Sequence, residues 1–464
     1  MSGVVAAAPS ARDETTGAGA WAARALLLAL VALKLAITAF NAGAYDNHQY
    51  DYPHHVWRAR TAGLEVAKMA YNPPLYYLPT LALLPDDARA ARKAPPGPLL
   101  ELLRYTNVGW LALFYLCWIV VILPRVLPDR RTAFVASLLL LALPGYQKLG
   151  MLAHPDNALA ALSAFLIATW LCVRERIRAG ERNWAALLAL ALATGLAGLT
   201  RPLAIAPVGV FWAVMMLELA RGHRPRSRAF LARAAAATLL AATLAGSWYV
   251  YRWASSDKIT DAYDDRYIAN FAPHRAGFPF LPYFTTFHLR ELLEVPNRKI
   301  GALDDENPWP RNRYANSFFT ILYSETWGDH WLYFSGPVNE ERKLWEKRVL
   351  FLLALPLVPL LFWRFGRGAL RALRSATSDP LAPGTVVFGF FAACAVLYLY
   401  WQTGPALLPG KNSTIKFIYN AHLYPAALAV AFLAPVRERW FRLWVGYALI
   451  LGAAALPLAV FRLG

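Results

Sequence analysis

The chain has 464 residues, of which 58% are apolar or aromatic and only 16% are charged. Soluble domains contain roughly 45–50% apolar and about 25% charged residues, so this composition excludes an ordinary soluble protein. The net charge of +18 lies in short clusters between apolar runs, whereas nucleic-acid binding requires charge gathered on one surface. We therefore expect a lipid bilayer around the chain and no nucleic-acid partner.

Apolar runs of about 17–25 residues predict transmembrane helices. Eleven such runs follow one another along the chain: 21–40, 105–124, 132–149, 157–173, 184–200, 203–220, 229–250, 347–363, 384–401, 416–434 and 441–460. No clear small-residue cleavage site follows the first run, so we expect a retained helix rather than a signal peptide. The expected fold is an all-α polytopic membrane protein with a bundle of about 11 transmembrane helices.

The arginines predict the orientation of these helices. They form five clusters, at Arg125–Arg131, Arg174–Arg182, Arg221–Arg228, Arg364–Arg374 and Arg437–Arg442. If the N-terminus is cytoplasmic, alternation of the eleven helices places all five clusters on the cytoplasmic side. That distribution is typical of membrane proteins, whose cytoplasmic loops carry an excess of Lys and Arg.

The same alternation divides the chain into four parts. Residues 1–20 form a cytoplasmic tail, 21–252 hold seven helices with a long outer loop at 41–104, 253–346 form a small extracytoplasmic cap, and 347–464 hold the last helices. Both outer segments are longer than simple connections require. Within the first, the apolar stretch 75–84 is too short to span and predicts a helix along the outer membrane surface.

Candidate catalytic side chains collect in the predicted outer loops. Asp46 follows the first helix closely, and its carboxylate could accept a proton from a nucleophile. His48 and Asp51 follow within one turn, although Asp51 is equally explained as a solvated loop acid or a helix cap. Asp156 lies beside His154 at the start of the fourth helix, where an acid is also ordinary capping chemistry.

Candidate binding residues lie in the same loops. Residues 72–77 read Asn-Pro-Pro-Leu-Tyr-Tyr, in which the prolines can start a helix without backbone donors. Arg201, at a tight outer turn, is the first candidate cation for a phosphate, although interfacial snorkelling also explains it. Lys416 and Lys411 are the next candidates. Glu325 is a candidate lid residue, for which solvation in a loop is the simpler explanation.

Together these residues resemble the GT-C superfamily of polyprenyl-phosphate-sugar-dependent glycosyltransferases, in the branch of the protein O-mannosyltransferases and the bacterial lipid A aminoarabinose transferase. Members place an acidic pair in the first outer loop, then a Pro-Pro-Leu-Tyr-Tyr string, a second Asp at the start of the fourth helix and a large outer loop after the seventh. Here Asp46-Asn47, residues 73–77, Asp156 and residues 253–346 fill these positions. Residues 21–252 then correspond to a GT-C transmembrane module, while the last four helices match by topology alone.

This resemblance implies an inverting transfer of a sugar from a polyprenyl-phosphate donor to a hydroxyl of a glycan, lipid or protein acceptor. It also implies a site that faces outward from a bacterial plasma membrane. Asp46 would be the general base, and Asp156 would orient the acceptor, the base or a divalent ion. Arg201, Lys411 and Lys416 would meet the phosphate. The other residues implied as substrate contacts are His48, Asp51, Asn72, Tyr76, Tyr77, His154 and Glu325.

Two residues depart from the family pattern. Asn47 stands where relatives often have Glu, and Asn72 stands where the lipid A transferases have a Glu-Lys pair that contributes to metal and phosphate contacts. The resemblance therefore carries over neither a metal nor a substrate identity, and no cofactor is assigned.

Two alternative functions stay open. They are a flippase or carrier of lipid-linked saccharide, and a glycan polymerase or ligase that uses a diphosphate carrier.

Overall fold

The computed structural model describes residues 17–42, 74–79, 97–152, 154–178, 184–201, 204–221, 228–256, 280–294, 317–328, 340–403 and 417–459. Regular secondary structure in these segments is entirely helical. The α-helices up to residue 256 are α1 Gly17–Ala42, α2 Gly97–Tyr115, α3 Arg130–Ala142, α4 Gly145–Met151, α5 Asp156–Arg178, α6 Trp184–Gly198, α7 Ile205–Arg221 and α8 Arg228–Ser256. Those that follow are α9 Phe280–Thr285, α10 Leu289–Glu294, α11 Phe318–Trp327, α12 Glu340–Ala354, α13 Leu357–Ser378, α14 Pro383–Thr403, α15 Phe417–Asn420, α16 Leu423–Ala431 and α17 Glu438–Ala459.

Several of these helices are long and apolar enough to cross a membrane. In the described segments they are Gly19–Ala42, Glu101–Val126, Asp156–Arg176 and Trp345–Ser378, with the bent pair α3 and α4 as a fifth if it is counted as one span. The stretch Glu101–Val126 continues α2 through a π-helical segment, Leu116–Ile122. The predicted all-helical membrane protein is therefore confirmed. The count of eleven spans and the cap at 253–346 stay predictions.

A sharp bend separates α3 from α4. Pro144 disfavours a helical conformation at Leu143, which is extended, and the two helices meet at 57°. The Leu143 carbonyl, which the break removes from the helical ladder, accepts a hydrogen bond from Nζ of Lys34 on α1 at 3.1 Å. Lys34 thereby stabilises the bend, and α4 leaves the axis of α3.

Two of the basic clusters meet at one end of α5, and a third ion pair links the first of them to α17. Ion pairs join Arg125 to Glu175, Arg131 to Glu438 and Arg174 to Asp379, with N–O distances of 3.2, 3.1 and 3.2 Å. Asp156 and Arg174 are 18 residues apart on α5, which is about 27 Å at 1.5 Å per residue. Charge is thus distributed along the helix axis, with the basic clusters at one end and Asp156 at the other.

Near the basic end, α13 crosses α16 at Gly368. A Cβ atom at this position would overlap the carbonyl oxygen of Val430, whereas a Cβ at Gly366 on the same helix would meet nothing within 4 Å. The absence of a side chain at Gly368 therefore lets the two backbones approach closely.

We expect Gly368→Ala to lower the free energy of unfolding by about 1–3 kcal/mol, because the helices must separate. Gly366→Ala is the matched control on the same helix, and it should raise stability by about 0.5–1 kcal/mol through helix propensity. Thermal unfolding of both variants in one detergent measures the difference. Equal effects of the two substitutions would contradict the close crossing.

Candidate functional site

A buried carboxylate lies at the N-terminal end of α5. Asp156 is the first residue of α5 and is only 1% exposed. Its Oδ2 accepts a hydrogen bond from Nη1 of Arg201, and it lies 2.6 Å from Nδ1 of His154. Arg201 follows the end of α6, so the carboxylate joins the start of α5 to the end of α6. The predicted residues His154, Asp156 and Arg201 are thus brought together.

An aromatic ring and a second histidine complete this group. The guanidinium carbon of Arg201 is 5.4 Å from the ring centroid of Tyr419, and the His154 ring is 5.5 Å from the same ring. His422 is buried and lies within electrostatic range of Asp156 and Arg201. These five residues, His154, Asp156, Arg201, Tyr419 and His422, are called the Asp156 cluster below.

Tyr419 and His422 are not among the site residues predicted above. They follow Asp156 by more than 260 positions, and neither has a local motif. Their position near the outer end of the tenth predicted helix is the one signal that points toward the site. Only the packing of α15 on α4 and α5 brings them to the carboxylate.

Three buried oxygen atoms at the start of α5 accept no hydrogen bond from the described residues: Oδ1 of Asp156, Oδ1 of Asn157 and Oδ1 of Asn107. Nδ2 of Asn157 donates to the Asn107 carbonyl at 2.7 Å, and Nδ2 of Asn107 donates to the Leu152 carbonyl. These bonds fix the orientation of each side-chain amide. Its nitrogen is used as a donor, and its oxygen is left as an acceptor. Buried acceptors without donors are costly, and such a set suits hydroxyl groups or a hard cation.

The Pro-Pro-Leu-Tyr-Tyr motif lies close to the same end of α6. Its described part begins with a 3-10 turn, Pro74–Tyr76, and the N–H of Leu75 donates to the Leu199 carbonyl at 3.3 Å. Leu199 is two residues before Arg201. Tyr76 and Tyr77 are buried, with ring centroids 5.0 Å apart. The rest of the surface helix predicted at 75–84 lies outside the described residues.

Glu325 lies in a different buried group. Its two carboxylate oxygens are 2.8 and 2.7 Å from Nζ of Lys148 on α4, and both side chains are at most 1% exposed. Glu325 is therefore an interior residue in this structure, and a solvated loop does not describe it. The remaining predicted site residues lie outside the described residues: Asp46, His48, Asp51, Asn72, Lys411 and Lys416.

A metal site built from His, Cys, Asp and Glu is not formed within the described segments. No three such side chains there come close enough together to hold an ion. Asp46 and Asp51 lie outside these segments, and the divalent ion considered for Asp156 therefore stays a prediction.

Comparison with known proteins gives structural matches. No family model and no curated sequence matches the chain. The chain is similar to ArnT from Cupriavidus metallidurans bound to undecaprenyl phosphate, with 14% identity and a TM-score of 0.48 over 92% of this chain and 63% of that chain. It is also similar to the oligosaccharyltransferase of Archaeoglobus fulgidus in the apo form, with 14% identity and a TM-score of 0.47 over 94% of this chain and 55% of that chain.

A further match is AglB from Archaeoglobus fulgidus, in complex with an inhibitory peptide and a dolichol-phosphate, with 12% identity and a TM-score of 0.44 over 95% of this chain and 55% of that chain. The chain thus spans between about half and two thirds of the length of these proteins. Their names agree with the resemblance found in the sequence. Because the TM-scores are below 0.5, function is inferred below from the contacts of the site.

We expect a double-mutant cycle on Asp156→Ala and Arg201→Ala to give a coupling energy of about 1–3 kcal/mol, because each single variant leaves a buried charge without its partner. The control cycle removes Arg174 and Asp379, whose carboxylate is 40% exposed. It should give about 0.2–1 kcal/mol. Thermal unfolding in detergent measures both cycles, and equal coupling in the two pairs would show that Asp156 does not anchor Arg201.

Proposed function

We propose that the protein is an inverting glycosyltransferase that moves a sugar from a polyprenyl-phosphate donor to an acceptor hydroxyl at the extracytoplasmic face of the membrane. The observation that carries this proposal is the pairing of Arg201 with the buried Asp156, at the end of α5 opposite the basic clusters. A lipid phosphate must stay at the membrane surface while its tail lies among the helices. A guanidinium held at that depth suits such a phosphate.

Arg201 has the geometry for this role. Its planar guanidinium carries five N–H donors, so it can contact the Asp156 carboxylate and a phosphate at the same time. The Tyr419 ring lies 5.4 Å from the guanidinium carbon and limits its orientation. As the sugar leaves the phosphate, negative charge develops on the phosphate oxygens, and a cation that is already in place stabilises it.

The oxygens at the start of α5 support the binding of a sugar. Asp156, Asn157 and Asn107 present buried acceptors, and sugar hydroxyls are donors of matching chemistry. Asp46 would accept the proton of the acceptor hydroxyl as that oxygen bonds to the anomeric carbon. The bond from this carbon to the phosphate breaks on the opposite face, the configuration inverts, and polyprenyl phosphate departs with the bonding electrons. A divalent ion would find the type of oxygen ligands that it prefers in the same place.

The alternatives differ from this proposal in the lipid that they release. A flippase or carrier would leave the donor intact, and a polymerase or ligase with a diphosphate carrier would release a polyprenyl diphosphate. We expect purified protein, given a polyprenyl-phosphate sugar and a mixture of acceptor hydroxyls, to release polyprenyl monophosphate. Chromatography of the lipid fraction distinguishes the three products.

Asp46→Asn keeps the size of the side chain but removes the base. We expect turnover in the lipid-release assay to fall by roughly 10²–10⁴-fold, which is the usual contribution of general base catalysis. Donor binding should be nearly unchanged. Asp51→Asn is the matched control in the same loop and should have a much smaller effect. Small and equal losses for the two variants would remove Asp46 from this role.

The proposed orientation can be tested by cysteine labelling in intact cells, in a background without the three native cysteines. A cysteine at Arg176 or Arg371 should react with a membrane-impermeant reagent only after permeabilisation, since both belong to the basic clusters. A cysteine at His288 should react without it. The opposite pattern would place the Asp156 cluster on the cytoplasmic side.

A further inference from the structure

The ion pair between Lys148 and Glu325 lies apart from the Asp156 cluster and joins α4 to α11. Both carboxylate oxygens contact the ammonium group within 2.8 Å, and neither side chain reaches solvent. Burial of two charges is costly, and well-packed apolar side chains can often replace such a pair without loss of stability. Ionisable groups in the interior of membrane proteins are therefore candidates for a functional role.

Glu325 has a third contact, which an apolar side chain could not replace. Its Oε2 accepts the backbone N–H of Phe417 at 3.3 Å, at the first residue of α15. The first N–H groups of a helix have no partner within the helix, so the carboxylate satisfies one of them. The Phe417 ring lies directly on the start of α4, since a Cβ at Gly145 would be 2.6 Å from its ring atoms.

The same two helices bind the next residues of this segment. The Tyr146 hydroxyl on α4 donates to the Ala421 carbonyl at 2.7 Å. The Thr326 hydroxyl on α11 is 2.5 Å from the Tyr424 hydroxyl. Residues within two positions of Lys148 and Glu325 therefore hold the segment 417–424 at two further points.

Residues between these points belong to the Asp156 cluster. Tyr419 is two positions after Phe417 and packs on Arg201, and His422 directly follows Ala421. The segment 417–424 thus contacts the ion pair on one side and the Asp156 cluster on the other.

We propose that Lys148 and Glu325 are positioning residues for the Asp156 cluster. The ion pair and the Phe417 N–H contact together determine where the segment 417–424 lies, and hence how the Tyr419 ring meets Arg201. The effect of this pair on turnover rests on the function proposed above. Its effect on the position of Tyr419 does not.

The first test observes Tyr419 directly. A 3-fluorotyrosine introduced at position 419 of the full chain gives one ¹⁹F resonance, and its chemical shift should change in Glu325→Leu and in Lys148→Met. Glu325→Gln keeps an acceptor for the Phe417 N–H and should produce a smaller change. The control is Arg364→Met, which removes a buried cation that packs on Phe432. It should leave the resonance in place even where its melting temperature falls equally.

The second test exchanges the charges. Lys148→Glu combined with Glu325→Lys restores an ion pair, but a lysine at 325 cannot accept the Phe417 N–H. We expect the melting temperature to recover relative to the single variants while kcat/KM for donor consumption stays at least tenfold below wild type. A purely structural pair would recover both quantities.

The two proposals fail in different ways. An unchanged ¹⁹F resonance in Glu325→Leu and Lys148→Met, or full recovery of kcat/KM in the exchanged variant, would overturn the positioning role. If Glu325→Leu does not fold, Lys148→Met alone provides this comparison. If the wild type consumes no donor but the resonance changes as expected, the positioning role stands and the transferase proposal fails.

Discussion

The Asp156 cluster depends on one electrostatic constraint, which is that the Asp156 carboxylate is removed from water and must have partners. Arg201 and His154 supply them from either side, so the start of α5 and the end of α6 are joined at this point. An interior of low dielectric strengthens such contacts and makes the loss of either partner costly. The arginine is therefore held in one place before any ligand arrives, which is the condition for effective electrostatic stabilisation of a developing charge.

Around this carboxylate, backbone breaks are as important as the helices themselves. Pro144 ends α3, Lys34 satisfies the carbonyl that the break leaves, and Gly145 lets an aromatic ring rest on the backbone. These features turn α4 so that Lys148 meets Glu325 from a distant part of the chain. The segment 417–424 then lies between the two charged groups and contacts both of them.

Charge also differs between the two ends of the bundle. At one end arginines pair with carboxylates at the surface or bind backbone carbonyls, as Arg371 does with Leu433 at 3.0 Å. Among the described residues at the other end are two compact buried groups, the Asp156 cluster and the ion pair of Lys148 with Glu325. The first arrangement suits a cytoplasmic membrane surface. The second suits a site in which a few fixed groups meet a charged headgroup while the spans face lipid.

The sequence by itself determined the helical class and the membrane setting, because the length and hydropathy of a span are local properties that each run of residues carries alone. It also singled out Asp156, His154 and Arg201, which the structure brings together, since residue type and position at a helix end are visible along the chain. It did not identify Lys148 as the partner of Glu325, nor Tyr419 and His422 as neighbours of Asp156. These contacts join residues 177 to more than 260 positions apart. Only tertiary packing decides which buried charges pair, because a charge can pair with any suitable partner. The bends at Pro144 and along 417–424 determine which partner lies close enough.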